Sequence, residues 1–238
     1  MDIGDRMKAY EACSSPQLTR RMPLIIRIDG RTFHTLTAKM EAFDDKFNWA
    51  MRYAAVAVAE DCAGFVCAYI QSDEVSFLLQ DWAELGTQAW FGKDLSKIVS
   101  ASAATASIAF SKSIELDATF DSRAFVLPRE EVSNYFLWRA KDAERNSLSK
   151  YARCHFSHKD LIGKGREEMH EMLHGVGKNW ATDLCGWKKN GSFVRRGLTD
   201  DGRHVFTFND DVRPTYADVS AFVEEAIKLA TTPVLVEA

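Results

Sequence analysis

Apolar and polar positions alternate in short blocks along the first half of the chain. Residues 23–29 form an apolar run in which Leu24, Ile26 and Ile28 share one face and Ile25, Arg27 and Asp29 the other, the period of a strand. Gly30 follows, where a tight turn or a close backbone approach requires the absence of a side chain. Over 43–62 the apolar residues Phe43, Phe47, Met51, Ala54, Ala55 and Val58 recur at helical spacing, and Gly64 ends that helix. Residues 65–70 and 75–79 read as strands joined by the turn Gln71-Ser72-Asp73-Glu74. A second helix, rich in Ala and Ser, is expected over 88–110, and a fourth strand over 124–127, ended by Pro128. The order β-α-β-β-α-β is that of the ferredoxin-like split motif, shared by polymerase palms, and makes the chain α+β.

The second half reads differently. Residues 130–156 carry the stripe Val132, Tyr135, Phe136, Trp138, Ala140, Ala143, Leu148 and Tyr151, which predicts a long helix. Shorter helices are expected at 167–173 and 216–229, a hairpin of 192–196 with 204–208 over Asp200-Asp201-Gly202, and a polar helix within 5–22. No repeat, low-complexity tract or linker separates the halves. Residues 1–128 are therefore read as a palm-like catalytic core, with 129–238 as an appended helical and β-hairpin region packed on it in one compact unit.

At 238 residues and 46% apolar, the chain can bury a sizeable core and is not disordered. Its net charge of −4 means that a nucleic-acid partner would need a local basic patch. The five cysteines, Cys13, Cys62, Cys67, Cys154 and Cys185, are odd in number with no CxxC, which predicts reduced, buried thiols and a cytoplasmic protein. The polar start Met-Asp-Ile-Gly-Asp-Arg predicts no signal peptide, and no apolar run is long enough to predict a membrane span.

The candidate chemistry lies at two strand ends. Asp29 closes one strand, with Arg27 on the same face and the unobstructed Gly30 carbonyl beside it. Asp73 sits in the following hairpin turn, flanked by Glu74. Taken singly, an Asp-Gly and a Ser-Asp-Glu are ordinary turn residues. Taken together within β-α-β-β, two such acids can hold Mg²⁺ against a triphosphate, the requirement of two-metal nucleotidyl transfer.

These segments resemble the signatures of the tRNA(His) guanylyltransferase family, the 3′-to-5′ RNA polymerases. R-[ILV]-D-G-R-x-F-H appears as Arg27-Ile28-Asp29-Gly30-Arg31-Thr32-Phe33-His34, and Q-S-D-E-x-S-F as Gln71-Ser72-Asp73-Glu74-Val75-Ser76-Phe77. Ser96-Lys97, Phe120-Asp121-Ser122-Arg123, Trp138-Arg139 with Asp142 and Asn146, and Lys178-Asn179 match further family positions. The resemblance spans about residues 5–196. It implies that Asp29, the Gly30 carbonyl and Asp73 hold two Mg²⁺ ions, with Glu74 a supporting carboxylate. It implies nucleotide contacts from Gly30, Arg31, Thr32, Phe33, His34 and Ser72, and neutralisation of triphosphate charge by Arg27, Lys97 and Arg123. GTP and ATP would be substrates, tRNA the acceptor, and a homo-tetramer the assembly. Where eukaryotic members carry His-Ile-Asn-Asn, this chain has Glu144-Arg145-Asn146-Ser147, and their Lys-Pro-Phe-Asp is Glu41-Ala42-Phe43-Asp44. The first of these, with Trp187-Lys188-Lys189 followed by Val194-Arg195-Arg196, resembles the bacterial and archaeal guanylyltransferase-like branch, associated with template-dependent repair of truncated tRNA 5′ ends, and both departures point away from dedicated G−1 addition.

A basic surface for RNA is expected from Arg139, Lys141, Arg145, Lys150 and Arg153, interleaved with Trp138, Tyr151 and Phe156, and from Lys188, Lys189, Arg195 and Arg196. The resemblance adds Asn146, Lys178 and Asn179. His170-Glu171-Met172-Leu173-His174 is a literal HExxH, but Trp180 stands where the extended zinc pattern needs a third His, so a zinc peptidase is set aside. Two rivals remain: a palm-type enzyme turning over NTP without RNA, and an inactive homologue that binds RNA or nucleotide without incorporation.

Overall fold

The computed structural model describes residues 2–199 and 204–231. Six strands, β1 (Leu24–Gly30), β2 (Phe65–Gln71), β3 (Glu74–Leu79), β4 (Phe120–Val126), β5 (Ser192–Leu198) and β6 (His204–Asn209), form one antiparallel sheet in the order β4-β1-β3-β2-β5-β6. The helices are α1 (Ile3–Cys13), α2 (Phe33–Leu36), α3 (Asp45–Asp61), α4 (Leu95–Ile114), α5 (Val132–Arg153), α6 (His158–Leu161), α7 (Arg166–Gly175), α8 (Trp180–Asp183), α9 (Gly186–Asn190) and α10 (Tyr216–Thr231). The chain thus combines helices with an antiparallel sheet, and the hairpin of the second half extends the sheet of the first.

Helices cover both faces. α3 and α4 pack on the face of Leu24, Ile26 and Ile28, while α5 and α10 pack on the face of Ile25, Val66 and Leu78. That is why β2 is buried at every position and shows no apolar–polar alternation. A satellite cluster of Leu148, Tyr151, Leu173 and Trp180 joins α5 to α7 and α8.

The helix expected over 88–110 begins only at Leu95. Phe91, Gly92 and Lys93 have φ of 47°, 61° and 67°, a left-handed stretch through which no α-helix runs. The Asp94 carboxylate then caps α4 by accepting the Lys97 N–H at 3.0 Å. The turn over 200–202 and the tail over 233–236 lie outside the described residues. All five cysteines are free, but only Cys62 and Cys67 are buried; Cys13, Cys154 and Cys185 are exposed, a correction to the expectation of buried thiols. Among the described residues no helix is long and apolar enough to cross a membrane.

Candidate active site

Strand register assembles the acids. Asp29 pairs with Glu74 on one side and Asp121 on the other. Cross-strand partners point to the same face, so Asp121, Asp29 and Glu74 make a row of carboxylates across three strands. Two residues along, Arg123, Arg27 and Ser76 make a second row on that same face, the one covered in part by α5. Asp73 reaches the row through the β2–β3 turn, where the Gly30 N–H donates to the Asp73 carbonyl at 3.0 Å. Ser72 in that turn holds φ of 48°, an uncommon conformation for a non-glycine residue. Asp29 and Asp73 line one cavity of about 270 Å³.

Gly30 is required by a side chain from its own loop. A Cβ there would stand 2.5 Å from Cγ of Phe33. Phe33 is buried against Phe47, Phe110 and Phe120, with ring centroids 6.0, 5.2 and 4.9 Å away. Phe33 therefore anchors the loop in the core, and it also lines a cavity beside His34 and Asp73. Arg31, Thr32 and His34 are left exposed around it, as is Ser72. His34, Ser72 and Asp73 line a second cavity of about 220 Å³, which shares Asp44, Phe47 and Lys150 with the first.

The charges are unevenly compensated. Burial pushes the Asp29 carboxyl above its ordinary range; Asp73 and Asp121 push it further, and Arg27 and Arg123 oppose them. Glu74 has a dedicated partner: Arg139 Nε donates to Oε1 at 2.8 Å and Nη2 to Oε2 at 2.9 Å. Burial still raises the Glu74 carboxyl, with Arg139 and Arg27 pulling it down. Arg139 was expected on the RNA-facing surface. It is instead 7% exposed and turned inward, because a half-buried carboxylate is stabilised by a bidentate guanidinium. Lys150 faces the same cavity; burial lowers its pKa, Asp73 raises it, and its ammonium lies 5.0 Å from the Phe43 ring centre.

The remaining residues expected to meet RNA are spread over the cavity wall, the exposed surface and contacts within the fold. Asn146, Lys188 and Lys189 line the cavity with Lys150. Lys189 Nζ donates to the Ala181 carbonyl at 2.7 Å, and Lys188 stands 3.8 Å from Asp45. Arg145 is exposed and paired with Asp142; Arg153 and Lys178 are exposed; Asn179 caps α8 through the Ala181 N–H at 3.0 Å. Arg195 is tied to Glu225 at 2.6 Å, and Arg196 donates to the Ala59 carbonyl at 3.2 Å. Lys97 is not brought to Asp29 within one chain. It is exposed in the first turn of α4, which packs on the opposite face of the sheet. The bonds Ser102 Oγ to Ser122 Oγ at 2.8 Å and Phe120 N–H to Ser107 Oγ at 3.0 Å place the later turns of α4, not Lys97, level with Gly30.

Asp121 was missed as a site residue, although it is the second position of the Phe-Asp-Ser-Arg match and lies two before Arg123. His170 packs its ring against Trp180 at 5.8 Å, and among the described residues no group of three or more His, Cys, Asp or Glu side chains is placed to hold a metal. Asp29, Asp44, Asp73, Glu74 and Asp142 supply the carboxylates of the cavity wall, with Asp121 beside Asp29 across β1 and β4.

A family model described as tRNAHis guanylyltransferase matches residues 4–128. A probable tRNA(His) guanylyltransferase of Dictyostelium discoideum is 30% identical over 178 residues, covering 68% of this chain and 67% of that protein. Among solved structures, a bacterial tRNA(His) guanylyltransferase-like protein in complex with ATP superposes with a TM-score of 0.87 at 36% identity, covering 95% of this chain and 99% of the other. A bacterial protein of the same description in complex with GTP gives 0.82 at 37% identity, covering 94% and 98%.

Proposed function

The chain belongs to the tRNA(His) guanylyltransferase family and is a nucleotidyltransferase, and we propose that it extends the 5′ end of tRNA in the 3′-to-5′ direction with GTP or ATP. The observation that carries this reading is the hydrogen bond from Gly30 to the Asp73 carbonyl within the β1–β3 register, which holds two acids at one cavity. Strands β1–β4 with α3 and α4 are read as a palm-like core over 1–128, with 129–238 completing the cavity wall. We place the protein in the cytoplasm, as a homo-oligomer.

Two Mg²⁺ ions fit the donors. Burial, and then the neighbouring Asp73 and Asp121, hold the Asp29 carboxyl above its ordinary pKa, a crowding that a divalent cation relieves, and the donors are hard oxygens. Asp29, Asp73 and the Gly30 carbonyl would hold them, leaving further positions to phosphate oxygens and water. Bound there, Mg²⁺ lowers the pKa of an attacking hydroxyl and offsets charge on the leaving phosphate. In the proposed reaction the 3′-oxygen of the incoming nucleotide bonds to the activated 5′-phosphorus of the RNA. The bond from that phosphorus to pyrophosphate or AMP breaks, and the hydroxyl proton passes to solvent. Arg27 and Arg123, one row from the acids, offset charge on the reacting phosphates. Glu74, fixed by Arg139, keeps the turn that carries Asp73 in place. Lys97 has no part in the single-chain site.

The test uses Mg²⁺, labelled GTP and ATP, and tRNA lacking its first nucleotide. Wild-type protein is expected to label the RNA 5′ end, and Asp29→Ala to lose about 10³-fold or more of that rate. Equal labelling by the two proteins would remove the assignment.

A further inference from the structure

Trp138 is 54% exposed on α5, yet it is held in place from two sides. Tyr135, one turn earlier, hydrogen-bonds Ser76 on β3 at 2.8 Å and packs edge-on against Phe125 of β4 at 5.7 Å. Its ring lies 5.9 Å from that of Trp138. The Arg139 guanidinium covers the indole at 4.5 Å, and Arg139 is itself fixed by its two bonds to Glu74. The result is a half-exposed indole whose neighbour Tyr135 is itself anchored to β3 and β4. On the sheet face that α5 partly covers, the Arg123 side chain is 55% exposed and 3.7 Å from Asp121, and Arg27, whose Nε has no hydrogen-bond partner, lies 3.9 Å from Glu74.

We propose that Trp138 is a stacking platform for the 5′-terminal base of the RNA, with the activated phosphate of that nucleotide against Arg27 and Arg123. This rests on the 5′-end transfer proposed above. Arg139 lines the cavity, walled by α5, α9 and the β2–β3 turn, and also covers Trp138, which lies outside that cavity. The incoming nucleotide would occupy the cavity, and the RNA end would lie outside it beside Arg27 and Arg123. Stacking on an indole tolerates any base, as an acceptor end of variable sequence requires. A platform fixed through Glu74 also keeps the stacked nucleotide in register with the acid row, so Trp138 acts as a positioning residue.

The experiment binds tRNA lacking its first nucleotide, with 2-aminopurine at its new 5′ end, to wild type, Trp138→Ala and Trp138→Phe, in the absence of NTP. Wild type is expected to quench the probe on binding. Trp138→Ala should bind the RNA roughly ten-fold or more weakly without quenching it, while Trp138→Phe retains most of both. The KM for GTP should stay within about two-fold in all three. Unchanged binding and quenching in Trp138→Ala would overturn the proposal. So would a parallel loss of RNA and GTP binding in both variants, which would make Trp138 a support for the cavity wall. Label transfer, assayed separately with NTP, by a wild-type protein that leaves the probe bright in the nucleotide-free binding assay would refute the platform alone. A quenched probe without any transfer would refute the catalytic reading alone.

Discussion

Replacing Arg139 with Met removes the partner of a carboxylate that cannot easily return to water. The Glu74 side chain is 12% exposed and its two oxygens accept from Arg139 at 2.8 and 2.9 Å. Breaking a fully buried ion pair by removing one partner costs about 3–5 kcal/mol. Here Arg27 remains 3.9 Å from Glu74 and some solvent reaches the pair, so the lower end, about 3 kcal/mol, is expected. For a chain of this size that lowers the thermal midpoint by about 6–12 °C. The double variant Arg139→Met with Glu74→Leu replaces the pair by apolar groups and should recover most of the loss, a coupling of more than about 1.5 kcal/mol. Circular dichroism melts of the two single variants, the double variant and wild type measure this directly. A single variant melting within a degree of wild type, or a double variant no better than Arg139→Met, would refute the claim that Arg139 exists to compensate Glu74. Transfer activity should fall in Arg139→Met even below its melting range, because the turn carrying Asp73 loses its tether.

Other outcomes follow from single contacts. Gly64→Ala is expected to lose about 3 kcal/mol in urea unfolding, since φ is 78° and a Cβ would stand 2.1 Å from the Gln80 carbonyl oxygen. Asp44→Ala should cost about 1 kcal/mol by removing the α3 cap that accepts the Phe47 N–H at 2.7 Å, read from the same midpoint shift. Burial alone would raise the Asp81 carboxyl, but the Arg21 N–H, Arg20 and Lys93 together hold it below its ordinary value. A depressed folded pKa gives stability that is present above the unfolded pKa of about 3.9 and lost as pH falls through the folded one. Wild type should therefore lose more stability than Asp81→Asn between pH 5 and 3; parallel curves would show that Asp81 contributes nothing by its charge.

The apolar periods located β1, β2, β3 and the turn that presents Asp73, but of β4 (Phe120–Val126) only the apolar end from Ala124 was expected, because the polar Asp121, Ser122 and Arg123 break the apolar pattern. Position along a helix was less visible. The start of α4 depends on three left-handed residues and a side-chain cap, neither of which alters the apolar pattern. Charge was legible as composition but not as partnership. Nothing local to Arg139 signals a bond to Glu74, 65 positions away, or that Arg195 and Arg196 are tied within the fold. Nor was it legible that the Phe33 ring fills the space beside Gly30. Asp121 became visible only through the β1–β4 register. Lys97 shows the converse: a motif match gives no information about which face of the sheet a helix covers.

The central claim is that Asp29 and Asp73 share divalent cations beneath a polyphosphate. Mn²⁺ titration followed by electron paramagnetic resonance, with a non-hydrolysable GTP analogue present, tests it most directly. Wild type should bind two Mn²⁺ per chain tightly, with Asp29→Ala and Asp73→Ala each losing at least one while keeping the wild-type circular dichroism spectrum. Mn²⁺ stoichiometry and affinity unchanged in both variants would contradict the account.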